Sequence, residues 1–164
     1  MSMISYFPIT NKIIARWLDD ASIEYTIDCD DDFYVTEKNY FPFWISSSDE
    51  NECIRFFTYA SFAVAGSLVE KLQLADRLNH SLVMLSFSLK GDEAIEGHYD
   101  MANNFELLSY PDQHGSNLFI QTALRFSDAF VFGCGEYDYK NLLKSPTSPV
   151  EELPTEVLAE VTLH

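Results

Sequence analysis

The densest group of metal-capable side chains in this sequence is Asp28-Cys29-Asp30-Asp31-Asp32. Alternating carboxylates of this kind open a calcium loop, in which oxygen ligands wrap a hard cation. Here Phe33 stands where such a loop needs its turn glycine, and Asn39 where it needs a terminal bidentate glutamate. The cluster therefore reads as an acidic turn between two strands. His80, His98, His114 and His164 show no zinc-site spacing, and Cys29, Cys53 and Cys134 do not complement them. No metal and no cofactor is expected, and the imidazole of His98 is expected to be solvated.

Nucleophilic chemistry finds little better support. Gly133-Cys134-Gly135 has the look of a thiol loop, yet nothing nearby supplies a base or a cation to lower the thiol pKa. It reads instead as the frayed end of a helix. Signatures of serine hydrolases, phosphate loops and dinucleotide sites are absent. The expectation is a protein without catalytic residues. A metal- or thiol-dependent enzyme, the contrary reading, would require a deep pocket gathering Asp30, Asp32 or Cys134 with a histidine.

The elements that would position these residues follow from periodicity. Ile13, Ile14, Trp17, Leu18 and Ala21 fill one arc at about 100° per residue, which predicts an amphipathic helix over Thr10–Ala21. Strand-like segments follow at Glu24–Asp28, Phe33–Thr36, Phe43–Ser46 and Glu52–Tyr59, separated by short polar turns, the pattern of an antiparallel meander. Gly66 opens a second helix with Ser67 and Glu70 as a capping box. Leu68, Leu72, Ala75 and Leu78 read as its buried stripe. Asn79 falls within that stripe, and a buried amide needs partners, so Asn79 is expected to tie the helix end to adjoining backbone. Val83, Leu85, Phe87 and Leu89 alternate with polar residues, and Ile95, Gly97, Tyr99 and Met101 do so after a Lys90–Glu93 turn, giving a hairpin. Phe105–Tyr110 reads as a short edge strand and Pro111–Gly115 as a loop.

A third helix is expected from Ser116 as N-cap. Gln121, Arg125 and Asp128 mark its wet side, with Phe119, Ala123, Phe126 and Phe130 opposite. Phe132 lies about three turns past Gln121 and returns to the wet side. Leu118, Leu124 and Val131 flank that same side. A helix apolar nearly all round is covered twice, by its own core and by something else, so these four residues are interface candidates. Tyr40-Phe41-Pro42-Phe43-Trp44 concentrates aromatics beside a proline. Phe41 and Trp44 are read there equally as interface anchors and as packing over the meander.

Composition narrows the class of partner. Lys and Arg number 10 against 26 Asp and Glu, a net charge of −16. Such a field disfavours nucleic acid and anionic lipid and favours basic proteins or metal cations, and acidity that serves solubility alone is an equal reading. The longest uncharged stretch, Phe56–Val69, is shorter than the ~20 residues a membrane helix needs, and Met1–Trp17 lacks a signal-peptide core. Three scattered cysteines suit a reducing cytoplasm. The 164 residues are divided by composition into one α+β domain over 1–143 and a Ser-, Pro- and Glu-rich tail over 144–164, in which Thr155–Val161 is a candidate short helix.

The order helix, meander, helix, hairpin, helix, with Leu78-Asn79 leading directly into Val83–Leu89, resembles the YbjN-type family of bacterial sensory-transduction regulators over about Thr10–Tyr137. That family is similar in fold to type III secretion chaperones. The resemblance implies an antiparallel sheet covered on one side by helices, a chaperone-like or regulatory role, and a homodimer that buries apolar surface against a partner protein. The alternative from charge alone is an immunity-type protein that neutralises a basic toxin.

Overall fold

The computed structural model describes residues 9–48, 53–63, 66–103 and 113–144. Helix α1 spans Asn11–Asp20 and is followed by four strands, β1 (Tyr25–Ile27), β2 (Phe33–Val35), β3 (Phe43–Ser48) and β4 (Cys53–Ser61). Helix α2 (Leu68–Ser81) leads to the hairpin β5 (Ser86–Lys90) and β6 (Ala94–Ala102), and α3 runs over Gln113–Tyr137. The strands form one antiparallel sheet in the order β1-β2-β3-β4-β6-β5. The first four strands are the expected meander. The hairpin then joins through its second strand, so β6 is central and β5 becomes an edge.

Period-two alternation assigns the two faces of the sheet. Phe33, Phe43, Ile45, Ile54, Phe56, Phe87 and Ile95 face the helices and are buried. Helix α3 supplies the opposing surface. Phe119 meets Trp17 of α1 and Phe56, Phe126 meets Phe43 and Phe56, and Phe130 stacks on Phe87 and Phe41. Gly97 makes the last of these contacts possible, since a Cβ there would come within 2.5 Å of the Phe130 ring. The loop before β3 is pinned by two hydroxyls, Ser127 Oγ donating to Phe41 O and Thr58 Oγ1 donating to Pro42 O.

Several expectations are corrected. The buried stripe of α2 is Lys71, Leu74, Ala75 and Leu78, while Leu68 and Leu72 are exposed. Lys71 occupies the position expected of a leucine because its ammonium lies over the Phe62 ring and donates to the Asp92 carbonyl, while its stem packs as an apolar chain. Val83 is fully exposed, because β5 begins only at Ser86. Helix α3 starts at Gln113, so Ser116 lies inside it, and Gly115 is buried within its first turn. Its far end is also longer than expected. Gly133 and Gly135 are helical, and Gly133 allows close packing, since a Cβ there would stand 2.3 Å from Leu82 Cδ1.

The capping box is present, with Glu70 N donating to Ser67 Oγ and Ser67 N donating to Glu70 Oε2. After α3, Asp138 accepts from the amides of Leu142 and Leu143, and residues 142–144 bond to Ser61 and Ala63. The expected strand at Phe105–Tyr110 and the tail helix at Thr155–Val161 lie outside the described residues.

Candidate functional site

The acidic run and the three cysteines take definite places, whereas His164 and the side chain of His114 lie outside the described residues. Asp28 Oδ1 accepts from the amides of Asp30 and Asp32, so the acidic run is a turn organised by its own first carboxylate. Asp32 is pushed up by burial and by its acidic neighbours, against the hydrogen bond from Ser46. Cys29 lies in that turn, Cys53 on β4 and Cys134 on α3, which are three separate elements. Burial, with Asp138 nearby, pushes the Cys134 thiol up to about 12, where it is not a nucleophile at neutral pH. No three His, Cys, Asp or Glu side chains gather in metal-binding geometry among the described residues.

His98 differs from expectation. It sits on the sheet face opposite α3 with its side chain largely covered, and Nδ1 is buried without a hydrogen-bond partner among the described residues, 3.6 Å from Glu96 Oε1. The cause is the register. One row crosses all six strands on this face as Thr26, Tyr34, Trp44, Phe57, His98 and Ser86. His98 therefore has an aromatic neighbour on one side and lies against Glu96, which also approaches Lys90. The phenol of Tyr59 is pushed upward by burial and by Glu96, to which it is hydrogen-bonded. Arg55 and Asp100 pair in bidentate fashion, which holds the Asp100 carboxyl below the usual range.

The interface candidates divide into two groups. Trp44 is 2% exposed, against Tyr34, Phe57 and Tyr59. Phe41 is half-buried and stacked on Phe130 at 5.6 Å. Both pack within the chain, Trp44 more completely than Phe41. On α3, in contrast, Phe132 is 57% exposed, Leu118 is exposed, and Leu124 and Val131 are half-buried. Gln121, Arg125 and Asp128 share the outer side with Phe132, as expected.

Asn79 makes the tie expected of it, to the backbone of Phe87, but from an exposed position. It lies on the flank of α2 and reaches the sheet edge from there.

Sequence reasoning missed the exposed cluster of Leu68, Val69 and Leu72 on the first turns of α2. The signal was available. Leu74 and Leu78, with Leu82 at the C-cap, form an i, i+4, i+8 row, and a core centred on that row leaves Leu68 and Leu72 outside.

Among the described residues, three helices and a six-stranded antiparallel sheet, with Leu68, Val69, Leu72 and Phe132 exposed on the helices, define an α+β domain. A family model described as "Putative bacterial sensory transduction regulator", named YbjN, matches residues 10–106. The chain belongs to this family. Among solved structures, the crystal structure of YbjN, "a putative transcription regulator from E. coli", is similar with a TM-score of 0.60 and 15% identity, covering 85% of this chain and 99% of that one. That likeness concerns the fold. A comparison with curated proteins gave no match. No helix among the described residues is long and apolar enough to cross a membrane.

Proposed function

We propose that this chain is a non-enzymatic regulatory domain of the cytoplasm that works by binding protein, as an acidic homodimer whose subunits meet through the outer side of α3. The observation that carries this reading is Phe132. Its ring is more than half exposed on a stripe otherwise made of Gln121, Arg125 and Asp128, and it meets the Tyr137 ring in a T-shaped contact. Covering an aromatic side chain of this size contributes about 1.5–3 kcal/mol, and Leu118, Leu124 and Val131 extend the same surface. The family description as a regulator supports the class. The net charge of −16 supports a basic partner, drawn in by the field and held apart from anionic competitors.

Size-exclusion chromatography with light scattering tests it. The wild-type chain is expected to elute as a dimer and Phe132→Glu as a monomer. A monomeric wild type removes the dimer, and an unchanged dimer in the variant removes α3 from the subunit contact.

A further inference from the structure

The edge strand β1 combines unpaired backbone, one exposed aliphatic side chain and a concentration of negative charge. In an antiparallel pair, successive residues point their N–H and C=O groups alternately toward the partner strand and away from it. The amide of Thr36 donates to Glu24 O, and the amide of Asp28 donates to Asp32 O. The register places Tyr25 opposite Val35, Thr26 opposite Tyr34 and Ile27 opposite Phe33. Residues 24, 26 and 28 therefore face β2, and the backbone groups of Tyr25 and Ile27 face outward. Among the described residues, none pairs with them. The Ile27 side chain, on the helix side of this edge, is 55% exposed.

An edge of this form accepts one kind of object, an extended chain with the matching two-residue repeat. Charge selects which chain. Residues 17–37 hold eight carboxylates, Asp19, Asp20, Glu24, Asp28, Asp30, Asp31, Asp32 and Glu37, and no Lys or Arg. A second copy of β1 would bring the same eight carboxylates against these and be repelled. We propose that β1 is the docking edge for an extended, basic segment of a partner protein, which adds a seventh strand with apolar side chains beside Ile27 and cationic ones reaching the Asp28–Asp32 turn. This rests on the protein-binding part of the reading above and is independent of the dimer.

The probe is an end-capped peptide alternating lysine and valine, with a peptide alternating glutamate and valine as its counterpart. Binding is followed by calorimetry and by amide exchange in the full chain. The lysine peptide is expected to bind, to weaken as salt rises, and to slow exchange at the Tyr25 and Ile27 amides. Ile27→Pro deletes one outward N–H while leaving every bond to β2, a substitution edge strands tolerate, and is expected to weaken binding about tenfold. Asp30→Asn with Asp31→Asn leaves the backbone edge intact and is expected to flatten the salt dependence. Absence of binding, equal binding of the glutamate peptide, or unchanged exchange at Tyr25 and Ile27 under saturation would each overturn the proposal. Phe132→Glu protein is expected to bind the peptide as wild type does, so loss of the dimer and loss of the edge read out separately.

Discussion

The side-chain amide of Asn79 closes on both backbone groups of Phe87, donating to its carbonyl at 2.9 Å and accepting from its N–H at 2.7 Å. Phe87 lies on the outer edge of β5, so a helix side chain satisfies what a further strand would otherwise satisfy. Among the described residues the two edges of the sheet are thus treated differently, β5 covered at this point by Asn79 and β1 left open.

Asn79→Ala is expected to destabilise the fold by about 1–2 kcal/mol, since two hydrogen bonds go and the freed groups are reached by water. Asn79→Asp keeps the acceptor and loses the donor, so its cost should be intermediate at neutral pH. Urea denaturation of the three proteins checks the order, and faster exchange of the Phe87 amide in the alanine variant checks the cause.

Gly133 and Gly135 should respond in opposite directions to the same change. Gly133→Ala places a methyl group 2.3 Å from Leu82 Cδ1 and is expected to cost about 1–3 kcal/mol through overpacking. At Gly135 a methyl group meets nothing within 4 Å, so Gly135→Ala should stabilise the helix by about 0.5–1 kcal/mol. Thermal melts of the two variants decide it.

Thiol labelling separates the cysteines by environment. Burial holds the Cys134 thiol near 12, so at pH 8 Cys134 should stay unlabelled by a maleimide until denaturant is added, while exposed Cys29 reacts in the native protein. Rapid native labelling at Cys134, read by peptide mass, would revive the thiol-enzyme reading.

The Arg55–Asp100 pair gives a small pH dependence of known sign. The Asp100 carboxyl is lowered in the folded state, mainly by its hydrogen bonds to Arg55, against partial burial. Its contribution is therefore present above the ordinary aspartate pKa of about 3.9 and is lost as pH falls through the lower folded value. Both side chains are more than a third exposed, which limits the effect to about 1 kcal/mol or less. The stability difference between wild type and Asp100→Asn, measured from pH 7 down to strong acid, should shrink toward zero below that range.

The turns and capping signals of this chain were legible because their chemistry is local. Ser67 and Glu70 announce their helix wherever it packs, and the Asp28 turn is made by one carboxylate and two nearby amides. The third helix was legible in its faces, since Phe119, Phe126 and Phe130 sit opposite Phe132 at the α-helical pitch. Its ends were not, because Gly115 and Gly133 look like breakers in the sequence, yet both lie within the helix, the second crowded by Leu82. The α2 stripe failed for a related reason. Lys71 is interior only because Phe62 and the Asp92 carbonyl receive it, and neither is its neighbour in sequence. The strand face of His98 alone predicts a solvated ring. What lies beside it depends on the alignment of β4 and β5 against β6, which no periodicity within one segment reveals.

The strand order has a consequence for how the chain reaches this state. Strands β1, β2 and β3 each pair with the strand that follows, so the meander assembles from contacts close in sequence. Pairing β4 with β6 is different, because its innermost pair, Ser61 with Ala94, must close a loop over residues 62–93 that contains all of α2 and β5. That closure carries the largest entropy loss of the sheet before any reward arrives. Substitutions along the Ser61–Ala94 seam should therefore slow refolding, whereas those in the meander turns should chiefly hasten unfolding.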